Sequence, residues 1–253
     1  MKQFNGTYGC PWCLHKGVRI EKGRGSVNAY HYESSPSPLR SAVQTVRDCT
    51  EAVENDAPVH GIKGPSELML MQLFDCVMGY CIDYLHCVLL GVTRCFVGLW
   101  FDSRHHVQTY YIGRQVNTVD EKLLSIKPPN AITRAPRSIA KTRAHWKGSE
   151  YMNWLLYYSQ PCLTGVLPRE YLLHWVLIVH SMPILLSKSI SPEDLQNATI
   201  RIHKFVLFTE VLYGRENMTF NIHQLIHIPD CVKNWGLSGD IQHFCLNQTM
   251  DCC

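Results

Sequence analysis

The chain has 253 residues, 46% of them hydrophobic and 18% charged, a balance that fits a globular core and excludes a disordered or fibrous chain. A formal charge of +3 is too small to mark a nucleic-acid binder by itself, so that function must rest on local charge clusters. Twelve cysteines lie scattered without the rhythm of a disulfide scaffold, and Lys2, Asn5 and Gly6 interrupt any apolar leader. Reduced thiols in an intracellular compartment are the expectation.

Residues 1–38 are rich in Gly, Ser, Pro and Tyr, with Gly9, Gly17, Gly23, Gly25, Pro36 and Pro38 breaking any regular period. This reads as loop that needs a staple. Cys10-Pro11-Trp12-Cys13 offers one half of it, because two thiolates three apart can grip one edge of a tetrahedral zinc site. The same spacing also fits a thioredoxin-like redox dithiol. That motif should follow an apolar strand and open a helix, and residues 1–9 offer no such strand. His15 is a second-choice ligand. A short helix is expected near residues 39–55, and Gly61-Ile62-Lys63-Gly64-Pro65-Ser66 reads as a turn leading into residues 67–73.

The strongest period follows, where Ile82, Leu85, Leu89, Val92, Phe96 and Leu99 recur at steps of three and four. This predicts a buried helix. Asp83 and His86 are three apart on its flank, and they read equally as an active-site or metal pair and as a helix-start acid with a locally bonded His. Between Lys127 and Lys147 the chain carries Arg134, Arg137, Lys141 and Arg143 with no acid, spaced by Pro128, Pro129 and Pro136. Such a flexible basic loop suits phosphate contacts, although a lone basic stretch is more often a solvated surface.

Helices are expected over residues 149–159, 169–186 and 191–213. The last has Ser191 at the N-cap, Pro192 first, Asp194 at the capping-box position and Gly214 just past its end. Residues 171–186 are the most membrane-like stretch, yet His174, His180 and Pro183 make it too polar and it is too short to span, so a core helix is preferred. A final helix over residues 220–232 carries His223 and His227, four apart. That pair supplies a second tetrahedral edge, or else shares a helix face for no chemical reason. No internal repeat, phosphate-cradling glycine motif or Gly-x-Ser-x-Gly elbow is present.

Ordered along the chain stand Gln3-Phe4-Asn5-Gly6, Gly9-Cys10-Pro11-Trp12-Cys13-Leu14-His15, Gly61-Ile62-Lys63-Gly64-Pro65-Ser66 and Asp83-Tyr84-Leu85-His86-Cys87-Val88-Leu89-Leu90-Gly91-Val92. Then come Trp146-Lys147-Gly148-Ser149-Glu150, Leu212-Tyr213-Gly214, Asn217-Met218-Thr219-Phe220-Asn221-Ile222-His223 and Asn234-Trp235-Gly236. This series resembles transposase-domain proteins of the CACTA (EnSpm) type, and it covers nearly the whole chain up to Gly236.

The resemblance implies an RNase H-like DDE/D enzyme, whose three carboxylates hold two divalent ions, Mg2+ in the intact ancestor, for attack on a DNA phosphate. Similar Transib-type recombinases run from an acid to C-x2-C, a helical insertion, H-x3-H and a catalytic Glu. By that likeness Cys10, Cys13, His223 and His227 hold one structural zinc ion. The same order puts the two catalytic aspartates upstream of Cys10, so they are expected to be missing, and only Asp83 and His86 stand as catalytic candidates.

After Trp235-Gly236 the family pattern leads to a Phe-Glu that carries the third carboxylate, whereas this chain reads Leu237-Ser238-Gly239-Asp240. An allowed choice of codons from Leu237, read two bases later, gives the family pattern, so residues 237–253 are expected to be a frameshifted tail. The sequence therefore predicts a mainly α chain: a zinc-binding loop region (1–38), a helical insertion domain of an RNase H-like transposase (39–236) with only a remnant of the α/β core, and that tail. The function expected is an inactive transposase fragment, with a domesticated zinc-stabilised DNA-binding or interaction module as the alternative. Expected partners are DNA, reached through Arg134, Arg137, Lys141, Arg143 and Lys147, and further copies of the chain or intact transposase, in the nucleus and without a membrane.

Overall fold

The computed structural model describes residues 6–130, 132 and 134–235. The chain is mainly helical, with two strands among the described residues. It divides into two compact units: residues up to Ile82 with those from Val206 onward, and Asp83–Phe205.

In the first unit β1 (Val18–Lys22) and β2 (Gly25–Ala29) pair antiparallel, in register from Val18 opposite Ala29 to Lys22 opposite Gly25. Only Gly23 and Arg24 lie between the strands, and Gly23 has φ +59°. A two-residue hairpin turn with glycine first needs that positive φ. The glycines expected to keep this stretch irregular instead close a strand pair. Lys22 Nζ anchors the hairpin by donating to the Glu216 carbonyl at 3.0 Å and to Asn217 Oδ1 at 2.9 Å.

The helix expected near residues 39–55 is α1 (Ala42–Glu54), whose Ser41 N-cap hydroxyl accepts from Gln44 N. Residues 38–40 lie against the Cys10-to-Cys13 loop: Leu14 N donates to the Pro38 carbonyl and Arg40 N to the Trp12 carbonyl, both at 2.9 Å. Ser66 caps a single short turn, Glu67–Leu70.

In the second unit the expected apolar helix runs from Tyr84 to Phe101. Its first ten residues, Tyr84–Thr93, are wound as a wide π-helix and the rest is α2 (Arg94–Phe101). Leu85, Leu89, Val92, Phe96 and Leu99 are all buried, as the period requires. Ile82 lies ahead of this helix and packs instead against Cys10, Trp12 and Cys13 in the first unit. By length and composition alone this 18-residue helix could cross a membrane, but 61% of it is buried inside the protein, the mark of a core helix.

α3 (Val116–Ser125) and the short α4 (Ile139–Thr142) follow. A near-continuous helical run then passes through α5 (Gly148–Asn153), a π turn at Trp154–Tyr158 and α6 (Ser159–Leu163). α7 (Arg169–Leu185) supplies Trp175, whose indole N–H donates to Ser159 Oγ at 2.8 Å. Phe96, Trp100 and Trp175 form the unit's aromatic centre, with Trp100 edge-on to Trp175 at 4.9 Å. His174 stacks on Phe205 at 4.3 Å.

The boundary between the units falls inside α8 (Pro192–Tyr213). Its expected cap is present: Ser191 Oγ accepts from Asp194 N at 3.0 Å and donates to Asp194 Oδ2 at 2.7 Å. Gly214, at φ +85°, ends it. The first unit then finishes with α9 (Phe220–Gln224), a 3-10 turn at Leu225–His227 and α10 (Ile228–Trp235). The tail expected at 237–253 lies outside the described residues.

Candidate metal centre

Cys10 and Cys13 are 0% and 2% exposed, and His223 and His227 are 2% and 4% exposed. Two parts of the chain remote in sequence bring them together. The Cys loop is held by the bridge of residue 13 to residue 39 and by Arg40, whose Nε donates to the Cys10 carbonyl at 2.9 Å and whose Nη2 donates to the His60 carbonyl at 2.8 Å. The histidines follow the Thr219 cap, whose hydroxyl accepts from Ile222 N. Because the helix narrows to a 3-10 turn at Leu225–His227, the rings of His223 and His227 stand 77° apart at 5.2 Å instead of running parallel.

All four ligand atoms lie within 4.8 Å of one another, and Cys13 Sγ is 3.3 Å from His223 Nε2. Bond lengths of about 2.3 Å to sulfur and about 2.0–2.1 Å to nitrogen give a tetrahedron with edges of about 3.4–3.8 Å. The four donors can therefore close on one ion with shifts of about an ångström. His227 Nε2 is buried and has no hydrogen-bond partner, an unmet polar atom of the kind a metal ion satisfies. The four residues form a buried Cys2His2 cluster able to bind a metal such as zinc.

The surroundings keep the rings in place and water out. Trp12 lies flat on His227, 18° from parallel at 5.9 Å, and Tyr30 lies on His223 at 5.0 Å. Met78, Ile82, Phe220 and Cys231 pack around the cysteines. His15 is buried with its ring 4.7 Å from that of His223. Its Nδ1 faces Glu33 at 3.4 Å, and it is not a member of the four-residue group, so it braces a ligand. Burial pushes the Cys10 thiol up, but the neighbouring Cys13, His223 and His227 outweigh it and lower it. The hydrogen bond to Cys10, with burial, raises Cys13. Redox dithiols need an accessible sulfur, and neither sulfur here is accessible.

Asp83 and His86 occupy an exposed helix start. Asp83 accepts from His86 N at 3.1 Å as the N-cap, and its other oxygen is 2.6 Å from His86 Nδ1. Among the described residues no third acid, His or Cys joins them at metal-binding distance.

The basic stretch is more folded than a flexible loop. Buried Asp120 on α3 accepts from Ser138 Oγ at 2.5 Å and Ile139 N at 2.6 Å, which ties down the start of α4. Arg137 grips buried Glu150 with two donors, at 2.5 and 2.7 Å. Lys141 and Lys147 are exposed, Arg134 is exposed and Arg143 is half-buried. Sequence reasoning missed Asp120 and the pairing of Glu150 with Arg137 because both acids lie outside the acid-free window, and it missed Arg40 because a lone arginine carries no motif. Comparison of the chain with protein-family models, with curated protein sequences and with solved structures finds no match.

Proposed function

We propose that this chain is a zinc-stapled helical module descended from a CACTA-type transposase, without strand-transfer chemistry of its own, that contacts DNA through basic residues. One observation carries the reading: C-x2-C and H-x3-H, with Cys13 and His223 210 residues apart, meet in one buried four-donor group. That is the long-range pairing which the resemblance implies for enzymes of this layout. Two thiolates with two imidazoles suit zinc, and a closed, buried set with no open position suits a structural ion.

Two-metal phosphoryl chemistry needs converging carboxylates, since Mg2+ takes oxygen ligands. Among the described residues no three carboxylates converge, and Asp83 serves as a helix cap. In this reading strand transfer belongs to intact transposase copies, beside which this module acts in the nucleus. Arg134, Lys141, Arg143 and Lys147 supply the DNA contacts, and Arg137 shares its charge with Glu150.

Salt titration of duplex DNA binding tests this. Changing those four residues to Gln should lower the slope of log K against log salt by about 3.6, because each lost phosphate contact removes about 0.9. Asp83→Asn should leave it unchanged. Binding that ignores the four residues would remove the DNA role.

A further inference from the structure

Helix α1 faces the wrong way for a helix with water on its outer side. Inward it sends Thr45, Asp48, Cys49 and Ala52, which are small or polar. Asp48 is met there by Gln44 Nε2 at 2.8 Å and His60 Nδ1 at 3.1 Å, and Cys49 Sγ donates to the Gly64 carbonyl at 3.3 Å. Outward it shows Val43, Val46 and Val53, each more than half exposed. A helix covered on one side alone carries its apolar stripe on that side, so these valines ask for a second cover. With exposed Thr50 they recur at steps of three, four and three, the spacing of the narrow seam along which two helices pack.

The apolar surface continues past the helix. On its circumference the seam lies next to Cys49, whose Sγ is 3.7 Å from Met69 Sδ. A Cβ added at Gly64 would lie 3.7 Å from Val53 Cγ2, so residues 64–69 border the seam on that side. The chain then runs on through Leu70, Met71 and Leu73, all more than half exposed. Single exposed apolar residues are ordinary, but six along one helix and the stretch beside it mark a surface for a partner. The other border of the seam is charged and carries both signs. Arg47 follows Val46 and Glu54 follows Val53, both are exposed, and neither is in an ion pair among the described residues.

This charge pattern selects the partner. When two copies of a helix pack antiparallel about a two-fold axis, the same flank of each meets. Arg47 then faces Glu54 of the other copy, and Glu54 faces its Arg47. In a parallel pair that flank would meet the Ala42 and Cys49 side, which has no charge to offer. We propose that two copies of this chain associate through α1, with the valine seams packed antiparallel and two Arg47–Glu54 pairs closing one edge. Leu70, Met71 and Leu73 of both copies lie along the opposite edge. Such a surface is self-complementary, so the assembly closes at two. It lies wholly within the first unit and stands apart from the DNA reading above.

Sedimentation equilibrium of the full chain measures the association. The unaltered protein should pass from monomer to dimer with rising concentration, and Val46→Glu should stay monomeric. Arg47→Glu alone, or Glu54→Arg alone, turns two attractive pairs into two repulsive ones and should weaken the dimer about tenfold. The double variant Arg47→Glu/Glu54→Arg carries the same pairs in reverse and should restore it, an outcome that a merely structural role for either residue does not give. All three positions are exposed, and circular dichroism checks that each variant is folded. Hydrogen exchange of the unaltered protein, dilute and concentrated, needs no variant: residues 42–54 and 67–73 should slow on association. A chain that stays monomeric at every concentration, a dimer indifferent to Val46→Glu, a double variant no better than the single ones, or protection confined to other segments would each overturn the proposal.

Discussion

Replacing His227 with Ala is expected to abolish stoichiometric zinc binding and to loosen the unit that holds the site. The closed site links Cys13 to His223 across 210 residues, and a cross-link over such a loop removes about 5 kcal/mol of unfolded-chain entropy on the chain-entropy relation. That is a large share of the roughly 5–15 kcal/mol that holds a typical domain together. At about 2–4 °C per kcal/mol for a chain of this size, losing the link should lower the melting temperature by about 10–20 °C. The assay pairs metal analysis of purified protein with circular-dichroism melts, run with and without a chelator. The parent should hold about one equivalent of zinc and melt lower after chelation, and His227→Ala should hold almost none and ignore the chelator. His180→Ala, an exposed change within α7, is the control and should behave as the parent. A parent whose melting is indifferent to chelation, or a His227→Ala protein that keeps a full equivalent, would refute the reasoning.

Three further outcomes follow from single residues. Asp120→Ala strips the acceptor from Ser138 Oγ and Ile139 N, so brief trypsin treatment should cut after Lys141 or Arg143 much faster than in the parent; equal rates would mean the clamp is idle. Burial lowers the His174 imidazole from 6.5 to about 4 despite its bond to the Phe205 carbonyl. With the folded value below the unfolded one, stability is full above about pH 6.5 and falls as the pH drops toward about 4. The total loss is about 3 kcal/mol at about 1.4 kcal/mol per unit. His174→Leu should flatten that part of the urea-midpoint profile, and identical profiles would contradict the assignment. Asp83→Ala, which removes only an exposed helix cap, should cost about 1 kcal/mol and leave zinc content unchanged; loss of metal would show that the pair reaches further than its geometry indicates.

The two ligand pairs were legible because thiol and imidazole spacings are local and chemically narrow. Their junction was legible only through the order of motifs along the chain, since nothing local to Cys13 points to His223. The main helices were legible from period and caps, as Ser191, Asp194 and Gly214 show. Wide turns such as Tyr84–Thr93 and Trp154–Tyr158 were not, because steps of three and four look alike whether a turn is α or π. The hairpin escaped because Gly23 was weighed as a breaker, although a positive-φ glycine is what its turn requires. Asp120, Glu150 and Arg40 act through the partners that folding brings to them, and no spacing announces such partners.

X-ray absorption at the zinc edge of the purified protein tests the central claim most directly. Two sulfurs at about 2.3 Å and two nitrogens at about 2.0–2.1 Å are the result expected of Cys10, Cys13, His223 and His227 on one tetrahedral ion. A shell of oxygens and nitrogens alone, or protein that folds without zinc, would contradict it.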